Sequence, residues 1–297
     1  MGSKIEWTEE TWNPIIGCSK VSPGCDHCYA ERMANRLAHI DATKPHYGIA
    51  VKDGKWTGKT LLGPDSVLEK PLHWKKPRTI FICSMGDMFH ESVPVHWIFK
   101  VFPITQKCPQ HTFFILTKRP EIMQKYFNYT GIRYPYLNVW LAVTAENQEQ
   151  ADKRIPILLG IPAVKRFVSV EPMLSLMDIS KYLKVVNESG FQDYGGPFAG
   201  RDKLDWVICG GESGSGARPM NINWVRSLRD QCIEGGTPFF FKQWGEWHPN
   251  WHEMAEFDID YSQRHISMNF DDGMSMIRVG KKKAGRKLDR QIWDQRP

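Results

Sequence analysis

The stretch Gly17-Cys18-Ser-Lys-Val-Ser-Pro-Gly-Cys25-Asp-His-Cys28-Tyr-Ala-Glu31 places three thiols close together, spaced C-x6-C-x2-C. A strand-like run, Thr11 to Ile16, precedes it, and a helix-like run, Tyr29 to Ile40, follows. Such a setting puts the cysteine loop at the carboxyl end of a strand, where α/β folds bind ligands. Three thiolates can hold a metal centre and leave one coordination position open for chemistry.

Outward from the loop, short apolar runs recur: Thr79 to Cys83, Phe113 to Thr117, Val139 to Val143, Phe167 to Val170, Trp206 to Cys209 and Pro238 to Lys242. Unbroken apolar character suits parallel strands covered on both faces. Their starts lie roughly 30 residues apart, the length of a strand-helix-strand unit. Helices are predicted between them, as at Ala151 to Leu159, despite Pro156, and Asn223 to Ile233, which stops at Gly235-Gly236. With the strand before the cysteines, these make six or seven βα units. The expected fold is α/β, a partial (β/α)6-type barrel over residues 1–247; an open doubly wound sheet is the alternative. Residues 44–78, rich in Gly, Lys, Pro and Trp, read as an inserted loop or lid. Gly190 to Lys203 reads as a mobile surface excursion, and 248–297 as a C-terminal extension packed outside the barrel.

Composition narrows the class. Seven cysteines in 297 residues, three of them crowded, do not form a secreted disulfide framework. The N-terminus lacks an apolar signal region, and no run reaches the ~18 apolar residues of a membrane span. The expectation is a cytoplasmic protein. A net charge of +6 permits an anionic partner without requiring one. Basic residues do gather at Lys281 to Arg290, as a solvated face or a phosphate contact.

Polar groups stand at consecutive strand ends: Ser84, Gly86 and Asp87; Lys118 and Arg119; Glu146; Glu171; Gly210, Gly211 and Glu212; then Gln243 to Trp247. Any one carboxylate could simply cap the helix that follows. Their recurrence on one rim points to a site. Gly210 to Gly216 is neither a Walker loop nor a dinucleotide fingerprint, but its bare backbone suits close approach to a ring or ribose. Lys118-Arg119 suits a carboxylate or phosphate. The Phe239-Phe-Phe run is expected to plug the barrel, with Trp244 and Trp247 packing rather than stacking on substrate. Cys83, Cys209 and Cys232 read as core residues, and Cys108 has no evident role. For the three crowded thiols, spacing alone leaves an iron–sulfur cluster, a structural zinc with His27 or a distant fourth ligand, and unligated thiols all open.

Ile5-Glu-Trp7, Thr11-Trp-Asn-Pro14, Gly17-Cys18 through Glu31, Phe167 to Pro172, Gly210 to Ser213 and Phe239 to Glu246 together resemble the phage-type three-Cys-motif protein family, a largely uncharacterised group. The likeness runs from about residue 4 to the Leu288…Asp294 tail. The three-Cys motif is in turn similar to that of radical S-adenosylmethionine (SAM) enzymes, whose usual spacing is C-x3-C-x2-C. That second resemblance implies a partial (β/α)6 barrel in which Cys18, Cys25 and Cys28 hold a [4Fe–4S] cluster, and SAM binds the remaining iron. It implies reductive cleavage of SAM to a radical that abstracts hydrogen from a substrate. His27 would occupy a position where those enzymes usually carry an aromatic residue. Ser84, Gly86 and Asp87 would sit at the methionine amino group, and Gly210 and Gly211 near adenine, with Glu212 beside them as a carboxylate suited to an amino group or ribose hydroxyls. Glu146 and Glu171 would contact ribose or methionine. Expected partners are an external electron donor, a nucleic-acid or nucleotide substrate and a protein encoded nearby. The alternative is a zinc-containing, non-enzymatic nucleic-acid-binding phage protein.

Overall fold

A computed structural model describes residues 5–131, 136–184, 203–250 and 266–297. Seven strands form its main sheet: β1 (Glu10–Trp12), β2 (Thr79–Ile82), β3 (Thr112–Thr117), β4 (Val139–Thr144), β5 (Arg166–Val170), β6 (Trp206–Gly210) and β7 (Phe239–Gln243). Their order across the sheet is their order along the chain, and every neighbouring pair is parallel. A doubly wound sheet reverses order at a switch point. This one does not, so successive crossovers return on one side and the sheet winds toward a barrel.

The winding is visible in ring contacts. Strands pack about 4.8 Å apart, so residues three strands apart on a flat sheet lie roughly 14 Å from each other. Phe114 on β3 and Trp206 on β6 have ring centroids 6.1 Å apart. Trp7 spans Phe81 on β2 and Phe167 on β5, at 5.0 and 6.2 Å. The sheet is therefore a curled half-barrel with an aromatic interior.

Alternation along each strand separates the two faces. Phe81, Phe114, Ala142, Phe167, Ile208 and Phe240 point inward and pack on one another. Ile80, Phe113, Leu141, Val168, Val207, Phe239 and Phe241 belong to the larger outer core. Helices α1 (Tyr29–Leu37), α2 (Val95–Gln106), α3 (Pro120–Thr130), α4 (Gln148–Leu159) and α5 (Ile222–Glu234) punctuate the strands. Of the three phenylalanines expected to plug the barrel, only Phe240 enters it; strand alternation sends its neighbours outward.

The segment read as a loop or lid is built structure. It holds a helix (Lys44–Ala50), a hairpin (Val51–Lys52 with Lys55–Trp56), a strand (Leu61–Leu62) pairing with Ile15–Ile16, and a helix (Asp65–Leu68). The Trp12 indole N–H donates to the Val67 carbonyl at 2.7 Å, and Gly63 N–H to the Pro14 carbonyl at 2.7 Å. These elements are too short to show a period. The C-terminal segment does more than pack outside. Phe241 N–H donates to the Trp293 carbonyl (2.8 Å), Phe239 N–H to Gln295 Oε1 (2.9 Å) and the Trp206 indole to the Gln295 carbonyl (2.8 Å). That strip covers the free edge of β7, which would otherwise expose unpaired backbone. Most of the expected excursion at Gly190 to Lys203 lies outside the described residues.

Candidate functional site

A cavity of about 500 Å³ opens at the carboxyl ends of the strands. Cys18, Cys25 and Cys28 border it, as do Ser84, Gly86 and Asp87 after β2, Lys118 and Arg119 after β3, and Thr144 on β4. Ser169 comes from β5 and Glu171 from just beyond it, Gly211 and Glu212 from beyond β6, and Lys242 and Gln243 from β7. Trp7, Trp56, Phe81 and Leu116 supply apolar surface.

Arg119 anchors the cysteine loop. Its side chain is 4% exposed. Nε donates to both Glu91 oxygens at 2.8 Å, and Nη1 to Asp87 Oδ2 at 3.2 Å and Cys18 Sγ at 3.7 Å. Nη2 donates to the Ser19 carbonyl (3.1 Å) and hydroxyl (2.8 Å). The pair expected to grip a ligand is thus divided. Arg119 grips its own chain, whereas Lys118 borders the cavity and makes no ion pair among the described residues.

Two further clamps act on the same loop. Glu146 accepts from Gly24 N–H at 3.1 Å and pairs with Arg154 at 3.0 Å. Arg218 binds Glu212 through Nη2 at 2.7 Å and Nε at 3.0 Å, and reaches the Pro23 carbonyl at 2.8 Å. Glycines permit the close seating. Gly17 has φ +96° and lies against the Lys59 carbonyl, and a Cβ on Gly86 would come within 2.9 Å of the Gly17 carbonyl oxygen.

The electrostatics follow from this packing. Burial, with the Asp87 charge added, pushes the Cys18 thiol up to about 12, against the opposing pull of Arg119. Cys25 and Cys28 also raise it, so the three sulfurs share one electrostatic neighbourhood. Cys28 caps α1, whose N-terminal end favours negative charge. Among the described residues, no group of three or more His, Cys, Asp or Glu side chains is arranged to hold a single metal ion. On the opposite wall, Lys242 Nζ meets Glu171 Oε1 at 2.8 Å. Burial lowers the Lys242 ammonium, but the Glu171 charge outweighs it and keeps the amine protonated. Glu171 Oε2 also accepts from the Trp7 indole (3.3 Å) and the Ser169 hydroxyl (3.0 Å).

The expected site residues divide by these contacts. His27 borders the cavity with its ring against Gly216, where a Cβ would lie 2.6 Å from Nδ1. Ser84 donates to Asn13 Oδ1 at 3.1 Å, and its carbonyl accepts from the Tyr29 hydroxyl at 2.9 Å. Asp87 borders the cavity, yet its oxygens accept from Thr117 Oγ1 (2.8 and 2.9 Å), Phe89 N–H (2.9 Å) and Arg119. Glu146 and Gly210 do not border it. Glu146 turns to Gly24 and Arg154 instead, and Gly210 makes room for Glu171, whose Oε1 would lie 2.9 Å from a Cβ there. Gly211 and Glu212 do border the cavity. Trp244 and Trp247 are buried, their indoles donating to the Lys287 and Ala217 carbonyls.

Sequence reasoning missed Trp7, Cys83 and Lys242 as cavity residues. Cys83 is 3% exposed, and burial pushes its thiol well up. Lys242 did carry a signal: it is the lone charge in β7, directly after three phenylalanines.

A family model described as "Protein of unknown function (DUF5131)" matches residues 2–297. The chain belongs to that family. No curated protein matches it. Among solved structures, a cysteine-to-serine mutant of spore photoproduct lyase is similar, at 9% identity and a TM-score of 0.42, covering 96% of this chain and 72% of that one. No helix among the described residues is long and apolar enough to cross a membrane.

Proposed function

We propose that the cavity is the reaction chamber of a radical SAM-type enzyme, with Cys18, Cys25 and Cys28 ligating a [4Fe–4S] cluster and SAM beside it. One observation carries the reading: three thiols and the polar tips of successive strands border a single cavity. The donor set suits the cluster. These three residues are partly exposed and border the cavity, whereas Cys108, Cys209 and Cys232 are buried away from it. The Arg119 N–H directed at Cys18 Sγ would stabilise a ligating thiolate. When bound, the cluster would supply the electron that breaks a carbon–sulfur bond of the sulfonium compound.

The chain's own groups bind and shield. Lys118 suits the carboxylate of SAM, and Glu171 its ammonium or a ribose hydroxyl. Gly211 allows close backbone approach of a flat ring. Trp7, Phe81 and Leu116 keep water from the chamber floor. Arg119, Glu146 and Arg218 hold the ligand loop without touching the reacting atoms. An external electron donor and a nucleotide or nucleic-acid substrate complete the proposal.

Anaerobic purification with iron and sulfide assays tests it. The expected protein is brown, holds about four irons, and releases 5′-deoxyadenosine from SAM under reductant. Cys25→Ala should lose the iron. Colourless protein that keeps one zinc after iron reconstitution, or full iron content in the variant, overturns the assignment.

A further inference from the structure

The tip of β7 carries chemistry that cluster ligation does not use. Cys209 on β6 pairs with Phe241, but the next residue, Gly210, pairs with Gln243. Lys242 is therefore an extra residue in β7, a bulge. In an unbroken strand, residues 242 and 243 would face opposite sides of the sheet. A bulge re-aims side chains, and here both Lys242 and Gln243 border the cavity.

Gln243 is 6% exposed. Its Nε2 donates to the Gly211 carbonyl at 2.9 Å, which fixes the amide orientation. Its Oε1 is buried and has no hydrogen-bond partner among the described residues. A buried acceptor left unanswered is destabilising, so a ligand that answers it is favoured. Lys242 uses one N–H on Glu171 Oε1, and an ammonium has three to give. An ion pair inside an aromatic half-barrel has no evident stability rationale, because desolvation offsets its attraction. Two adjacent residues on the border of one cavity thus hold a buried acceptor without a partner among the described residues and an ammonium with N–H groups to spare.

We propose that Lys242 and Gln243 form a substrate subsite that recognises a lactam edge, an N–H beside a C=O, as in a nucleobase. The ligand N–H donates to Gln243 Oε1, and the ligand carbonyl accepts from Lys242 Nζ. This names the substrate class for the chamber proposed above and rests on that reading.

Uridine and N3-methyluridine are the probes, titrated against anaerobically reconstituted protein with iron measured on each sample. Uridine should bind at least about tenfold more tightly, because methylation removes the N–H that Gln243 would accept. Gln243→Leu should abolish that preference, and Gln243→Glu, which keeps an acceptor, should retain it. Lys242→Met should weaken both probes. Equal binding of the two probes by iron-loaded wild-type protein, or no binding of either, overturns the subsite while leaving the cluster reading intact. Wild-type protein that takes no iron yet prefers uridine upholds the subsite and overturns the cluster. A single-stranded oligouridylate separates the sources of the edge. Salt-sensitive binding tighter than that of uridine assigns a polymer, and equal affinity assigns the free nucleoside; both uphold the lactam edge.

Discussion

The thiol wall and the β7 wall of the cavity are built in opposite ways. On the thiol wall, charged groups from distant strands close on the cysteine loop: Arg119 on Cys18 and Ser19, Glu146 on Gly24, Arg218 on Pro23. Those charges are answered by the chain itself. On the β7 wall, Gln243 Oε1 is answered by nothing among the described residues, and Lys242 retains N–H groups beyond its bond to Glu171. The difference separates holding from receiving. A loop that must present three sulfurs gains from fixed partners, whereas a surface that meets a transient ligand needs unfilled hydrogen-bonding capacity.

The contrast breaks most sharply if the walls are not independent. Cys18→Ala should remove iron binding, from about four irons to near none, yet preserve the uridine preference. Loss of both, in protein that still unfolds cooperatively, would show that the β7 wall depends on the thiol wall. Next in size is Arg119→Met. It leaves the buried Asp87 carboxylate without its cation, at a cost of about 3–5 kcal/mol, measured by urea denaturation. A cost under about 1 kcal/mol would mean that the clamp is not structural.

Glu146→Gln follows, at about 2–3 kcal/mol at neutral pH. Burial pushes this carboxyl up, but the Ser22 hydroxyl, the Arg154 and Lys118 charges and the Gly24 N–H together outweigh it, so its folded value lies below the ordinary 4.5. A depressed acid contributes stability above its unfolded pKa and loses it as pH falls through the folded value. The gap between wild type and variant should be constant above about pH 5 and narrow below about 4.5. A gap independent of pH would remove the charge from the clamp. Smallest is Lys184→Ala, away from both walls. Its bond to Glu234 joins two exposed side chains, and its loss should change stability by under about 0.5 kcal/mol. A larger effect would weaken the claim that rigidity is concentrated at the thiol loop.

The strands were legible because burial on both faces writes an unbroken apolar run, so Val139 to Val143 was placed within a residue of β4. The rim was legible as a set, since polar groups end nearly every run. Its internal division was not. Glu146 and Glu171 look alike in sequence, each following an apolar strand. One turns to Arg154 and Gly24, and the other meets Lys242 inside the cavity. The short elements within residues 44–78 were not legible, because strands of two residues leave no periodic trace.

Local pattern alone settled where the strands lie, where the thiols stand and which end of the sheet bears polar groups, because periodicity and spacing are properties of neighbouring residues. Folding decided the rest. The partners of Cys18, Gly24 and Pro23 lie 101, 122 and 195 residues away, and a single extra residue in β7 brings both Lys242 and Gln243 to the cavity. Hydrogen bonds and bulge register depend on which strands become neighbours, and only the curled sheet establishes that.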